Sequence, residues 1–382
     1  MLANVIDAAR RELSRFREDR WLQTLTLALP VALATLFIAI FWSGAPENLP
    51  VAVVDLDQSQ FSRKIVRQLD ASPVLNVTDH YSSPAAGKNA LVDGSHYALV
   101  VIPANIGRHV LLGQSPEVTV FFNAQYLLVA KSLRSALIET MATIAAETDV
   151  AEIMIGTPNI TAAVATALPV HSEIGRLYNR NLNYSQFLIP GIMFALLQVL
   201  VCSVSIIVVA REFKWGGTAY WKEYGAVAGL VGKLLPYTIL FTSQLLFLMW
   251  LFFGVLGWPH HASLIAIVPL LLLFVIACQA IGVFFYALTA SAERGLSFAG
   301  AYSAPAFAFL GLTFPASDMS VFAQIWRDLM PAAHLADAYL ARTSYGGDMS
   351  VFAVPAAVFC ATLLLFPWIV DRLEQQVKVA NG

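Results

Sequence analysis

Residues Arg211–Tyr237 read REFKWGGTAYWKEYGAVAGLVGKLLPY, a charged and glycine-rich island between two long apolar runs. Neither Phe187 to Ala210 before it nor Leu234 to Gly257 after it contains Asp, Glu, Lys, Arg or His. Runs of this length match a hydrocarbon core of about 30 Å. A Lys or Arg at the centre of a span costs about 2.5 to 3.5 kcal/mol, so Arg211, Lys214 and Lys222 belong at a membrane face. Gly216 and Gly217 permit a sharp turn, and Thr218 suits the cap of a short helix starting near Ala219. Lys233 is expected at the water boundary where the next span begins.

The whole chain agrees with this membrane reading. Its 382 residues are 58% apolar and 13% charged, with a mean hydropathy of +0.67, whereas soluble proteins are about 25% charged. A net charge of -2 leaves no basic excess for nucleic acid. Cys202, Cys278 and Cys360 all fall in apolar runs and read as small buried hydrophobes, and no metal site is expected.

Outward from the island, the apolar runs give an α-helical polytopic membrane protein with six transmembrane helices. The first is placed at 21–42, its ends marked by Trp21 and Trp42, and the others near 187–210, 234–257, 263–290, 296–313 and 351–370. Residues 1–20 set Leu2, Val5, Ile6, Ala9, Leu13 and Phe16 at helical spacing among five arginines. They read as a retained amphipathic interfacial helix, since Asp7, Glu12, Glu18 and Asp19 do not suit a signal peptide. Residues 43–185 have the composition of a soluble α/β domain. Strands are expected at Val51–Leu56, Tyr97–Ile102 and Val118–Phe122, and helices after Ser59, after Ser83-Pro84, over Pro103–Leu112 and from about Gln125 to Ile155. The remainder, 186–371, is a five-helix membrane region, and 372–382 is a tail. Basic residues, from Arg10 to Arg20 and again at Arg211, Lys214, Lys222, Lys233, Arg294, Arg372 and Lys378, concentrate on one side. This asymmetry predicts both termini in the cytoplasm and the α/β domain outside it.

At Arg211, Glu212, Gly217, Thr218, Gly232, Lys233, Pro236 and Tyr237 the sequence resembles permease subunits of type-2 ABC transporters. These carry Arg-Glu after the second span, then Gly-Thr, a short helix, and Gly-Lys-x-x-Pro-Tyr leading into the third. Where the family has a Leu-rich stretch and a Pro, this chain has Trp221, Lys222, Glu223, Tyr224 and Gly225. The resemblance implies that 211–233 is a cytoplasmic coupling loop docking on a separate ABC ATPase. A second similar stretch runs from Gly311 to Gly346, with Gly311, Phe314, Pro315, Trp326 and Pro331 in the family's order. It implies a partly re-entrant external gate over 314–346. The stretches PVAVVDLDQSQFSRKIVRQL and LNYSQFLIPGI look like the branch with a large periplasmic domain between the first and second spans. That branch works as a homodimer or heterodimer and often beside a periplasmic adaptor protein.

The chain itself is not expected to be an enzyme. Gly232-Lys233 is followed by Leu234 rather than Ser or Thr, and Val227 stands where a P-loop needs its first glycine. ATP and Mg are therefore expected in the partner ATPase, with no cofactor bound by this chain. Proton coupling needs ionisable groups inside the bilayer, and the six expected spans contain none. Gln198, Gln244 and Gln279 fit either a greasy pathway or packing against neighbouring helices. Asp55 and Asp57 read as caps of the following helix, which starts near Ser59, and His260-His261 as an external turn. The resemblance, with spans free of charge, implies a permease subunit exporting an amphiphilic, drug-like or lipid-like substrate across a bacterial inner membrane. A membrane-anchored receptor or phage-docking protein and an ion-coupled secondary transporter are the alternatives.

Overall fold

The computed structural model describes residues 1–42, 44–114, 116–156, 160, 183–215, 218–312 and 315–379. The chain forms two compact units, one of Met1–Gly44 with Leu177–Gly382 and the other of Ala45–Arg176. Of the expected 43–185 domain, residues 43, 115, 157–159 and 161–182 lie outside the described residues.

The larger unit begins with α1 (Leu2–Glu18) and α2 (Arg20–Ile40). Asp19 separates them and accepts from Leu22 N–H at 2.9 Å, capping the second. Within α2, Thr24–Ala28 forms a π-helical turn. The unit resumes with α7 (Tyr184–Trp215), α8 (Ala219–Tyr224), α9 (Ala226–Val255) and α10 (Ile265–Thr289). Tyr184 N–H donates to Gly44 O at 2.6 Å, so the chain leaves and re-enters this unit at adjacent points. Then come α11 (Ala292–Ser303), α12 (Ala306–Phe309), α13 (Val321–Asp328), α14 (Pro331–Thr343) and α15 (Met349–Val379). α7 and α10 supply much of the buried core, from Phe194, Val201 and Ile206 to Leu271, Phe274 and Ala277. Gly282 lets them meet closely, because a Cβ there would lie 2.5 Å from Cys202 O.

Among the described residues, five helices are long and apolar enough to cross a membrane: α2, α7, α9, α10 and α15. Five of the six expected spans coincide with these helices. The missing one, 296–313, is split into α11 and α12 at Ala304-Pro305. Pro305 supplies no N–H to the helical ladder, although Ala304 before it keeps helical geometry at φ -56 and ψ -41. Hydropathy alone passed over that break because every residue around it is apolar or small. Two helices also outrun their apolar cores, α7 taking in Arg211 and Glu212 and α9 taking in Lys233.

The smaller unit is a four-stranded sheet in the order β2-β1-β3-β4. Its strands are β1 (Leu49–Asp55), β2 (Leu75–Tyr81), β3 (Ala98–Ile102) and β4 (Thr119–Phe122). β1 runs parallel to both neighbours, with Val53 opposite Val100, and β4 closes antiparallel on β3. Its helices are α3 (Gln60–Asp70), α4 (Pro84–Val92), α5 (Ile106–Leu111) and α6 (Leu127–Gly156). Strand alternation divides the core. Val51, Val53, Ala98 and Val100 pack with Ile65, Leu69, Leu133 and Leu137, while Ala52, Val54 and Leu99 form a second cluster with Leu91. As expected, Ser83 accepts from Ala86 N–H at 3.3 Å and Pro84 opens α4. β2 was not anticipated, since of its residues only Leu75 is buried and Asp79 and His80 are exposed.

Candidate functional site

The sequence-marked residues at the ends of α7 and α9 converge on α1. Lys233 is 1% exposed, and its Nζ donates to Glu12 Oε2 at 2.6 Å and Glu212 Oε1 at 2.8 Å. Glu12 and Glu212 are themselves buried, at 3% and 0% exposure. Arg15 bonds the same Glu212 oxygen, and Tyr237 O–H donates to Glu12 Oε1 at 2.8 Å. Two carboxylates thus face two cations, a balance that low-polarity surroundings demand. One step outward, Arg211 pairs with Asp19 at 2.9 Å. Lys233, expected at the water boundary, has its side chain enclosed, because α1 lies across it.

Gly232 makes that enclosure possible. A Cβ there would stand 2.6 Å from Val5 O and 2.7 Å from Ala8 Cβ, so α1 and α9 touch backbone to side at this point. Phe16 adds an edge contact to the Tyr237 ring at 5.8 Å. Pro236 lies within α9, one residue before Tyr237.

α8 hangs beside this cluster as a short amphipathic helix. Tyr220 and Trp221 are buried, while Ala219, Lys222 and Glu223 are exposed on its other face. Tyr220 O–H donates to Gly229 O at 2.7 Å, and its ring lies 4.7 Å from Lys233 Nζ and 5.0 Å from the Arg11 guanidinium. Burial, then the nearby Glu12 and Glu212 charges, push the Tyr220 phenol well above its ordinary range. Trp221 stacks on Phe213 of α7 at 5.3 Å. Gly225, at φ +78, ends α8 and turns the chain into α9. Thr218 precedes α8 as expected but makes no side-chain capping bond; its carbonyl accepts from Lys222 N–H at 3.0 Å. Gly216 and Gly217 lie outside the described residues.

The second sequence-marked set surrounds the broken helix. Gly311 has φ +81, a conformation suited to glycine, and faces the Arg327 guanidinium. Arg327 is 7% exposed and bonds both Asp337 oxygens at 2.5 Å, tying α13 to α14. Trp326 Nε1 donates to Tyr302 O at 3.1 Å. Pro315 precedes the 3-10 turn Ala316–Asp318, and Pro331 opens α14. Phe314 lies outside the described residues. Gly311, Trp326 and Pro331 therefore gather around one set of helix ends.

Gln198 joins that set from within α7. Fully buried, it accepts from Ala332 N–H at 2.8 Å at the start of α14 and donates to Ser303 Oγ of α11 at 3.4 Å. Gln244 Nε2 reaches Thr26 O in the π-turn of α2 at 2.5 Å. Gln279 accepts from Thr238 Oγ1 at 2.8 Å and donates to Leu234 O at 3.2 Å. All three span glutamines pin neighbouring helices, so of the two readings given them the packing one holds. Elsewhere, the expected cap of α3 by Asp55 or Asp57 is corrected: Ser59 caps it, accepting from Ser62 N–H at 3.1 Å, while Asp55 accepts from Ser62 Oγ and Asp57 from Gly107 N–H of α5. The rings of His260 and His261 bond the carbonyls of Ala262 and Thr343.

Sequence reasoning had placed Arg211, Glu212, Gly232 and Lys233 in one loop but missed Glu12, Arg15 and Asp19 as their partners. The available signal was the acidic residues in an otherwise basic amphipathic helix. One family profile, described as an ABC-2 family transporter protein, matches residues 20–370. No curated protein matches the chain.

Proposed function

The chain belongs to the ABC-2 family of transporter proteins, and from that membership we propose that it is the permease subunit of an exporter for amphiphilic, drug-like or lipid-like molecules in a bacterial inner membrane. A permease of this family has no ATPase domain of its own and implies an ABC ATPase partner. In this reading two permease subunits, identical or related, form the pathway along α7 and the α11–α12 segment. With the broken α11–α12 segment making the sixth crossing, both termini and the 211–233 loop face the cytoplasm, and the α/β unit faces the periplasm, where an adaptor protein can join. ATP and Mg belong to the partner.

The observation that carries the coupling role is the buried set of Glu12, Glu212 and Lys233. Three helices, α1, α7 and α9, share this cluster, which Arg15 brings to charge balance, and α8 is anchored beside it by Tyr220 and Trp221. A force applied to the exposed face of α8 therefore reaches two membrane helices and the interfacial helix together. The Gly311, Phe314, Pro315, Trp326 and Pro331 segment serves as the external gate, with the Gln198 bonds linking it to α7.

Co-purification from native membranes tests the docking face. Ala219→Trp with Lys222→Glu alters only exposed positions, so a monodisperse permease that loses its ATPase is the expected result. An ATPase retained at full stoichiometry would remove α8 from the docking role.

A further inference from the structure

The α/β unit holds a feature that coupling does not use. Beyond the carboxyl ends of the parallel strands β1 and β2, with the first turns of α3, lies a cleft of about 780 Å³. It lies on the β1–β2 side of the sheet, not at the β1–β3 switch point where open α/β sheets usually hold ligands, and its volume suits a small organic molecule. Its lining includes Leu56, Arg63, Val66, Arg67, His80 and Tyr81.

The charge of the cleft is set by what Asp55 does. This one carboxylate of the lining is turned into the loop, accepting from Asp57 N–H at 3.0 Å, Gln58 N–H at 2.9 Å and Ser62 Oγ at 2.7 Å. Lys64, between the two arginines, is directed away to Glu147 of α6 at 2.7 Å. Arg63 and Arg67, four residues apart, share one face of α3. Arg63 Nη1 donates to Gln58 O at 2.6 Å, and Gln58 holds φ +50, a costly conformation for a residue other than glycine. That bond orients one guanidinium and leaves its other donors open. Among the described residues no acceptor holds the Arg67 guanidinium. Planar forks of this kind match carboxylate and phosphate oxygens.

We propose that this cleft binds a small amphiphilic anion. Its carboxylate or phosphate lies between Arg63 and Arg67, with His80 as a further donor, and its apolar body rests on Leu56, Val66 and Tyr81. The site is independent of the coupling reading, because it needs neither ATPase nor transport.

The test is calorimetric titration of the full-length protein in nanodiscs of zwitterionic lipid. The probes are phenyl phosphate, inorganic phosphate and benzyl alcohol. Saturable binding of phenyl phosphate is expected, at least tenfold tighter than inorganic phosphate, with none for the alcohol. Arg63→Gln with Arg67→Gln should weaken it tenfold or more, and Val66→Trp should abolish it by filling the cleft while keeping both charges. Discs containing an anionic lipid separate the two sources of such a group: competition with phenyl phosphate identifies a lipid headgroup, and unchanged affinity a free solute. Lack of saturable phenyl phosphate binding, or equal affinity in the double variant, would overturn the proposal.

Discussion

Lys233 shows how much one side chain decides. Removing its charge leaves Glu12 and Glu212 buried and facing each other, and breaking such a pair costs about 3 to 5 kcal/mol. Lys233→Met should therefore lower the thermal midpoint of the detergent-solubilised protein and its yield. Glu12→Gln on top of it removes one orphaned charge and leaves Glu212 with Arg15, so the double variant should regain much of the loss. A double variant no better than the single one would mean that the cluster is not electrostatically coupled. The motif Gly232-Lys233 was legible in the sequence, but its partner was not. Glu12 lies 221 residues away, and no local pattern reports which of four acidic residues in an amphipathic helix turns inward.

Elements were legible where a local rule governs them. The apolar run of β1 and the Ser83-Pro84 start of α4 each follow from a few neighbouring residues. β2 escaped because an exposed edge strand lacks the apolar signature, and the break at Pro305 escaped because its surroundings are uniformly hydrophobic. That break matters for the contacts it frees. With α11 ending at Ser303, Gln198 can bond both Ser303 and the first turn of α14. Gln198→Leu leaves Ala332 N–H buried without that acceptor, a loss of about 1 to 3 kcal/mol. The expected readout is a lower thermal midpoint together with faster hydrogen exchange in Pro331–Thr343. Unchanged exchange there would show that α14 is held by its apolar contacts alone.

For the whole molecule, the sequence indicated a membrane unit and an inserted α/β unit, and both are present. The α/β unit should respond to acid through Asp57. The Asp57 carboxyl is held below its usual range, chiefly by the Ser59 hydroxyl, with the Gly107 N–H adding to it. A lowered folded value contributes stability above the unfolded value, about 3.9, and that contribution is lost as pH falls through the folded value. Hydrogen-exchange protection of β1 and α3, corrected for intrinsic rates, should thus weaken below about pH 4. Asp57→Asn should be less protected at pH 7 and less sensitive to acid; identical profiles would exclude the cap. Membrane coupling is a property of the assembled protein, and its central claim is that α1, α8 and the adjoining ends of α7 and α9 move as one body. The most direct measurement is the distance between spin labels at Arg10 and Lys222, in the permease–ATPase complex, nucleotide-free and trapped with ATP. One narrow distribution common to both states is expected, broadening in Lys233→Met. A shift of several ångströms between states in the natural sequence would show that α1 and the loop move separately, and the buried cluster would no longer explain coupling.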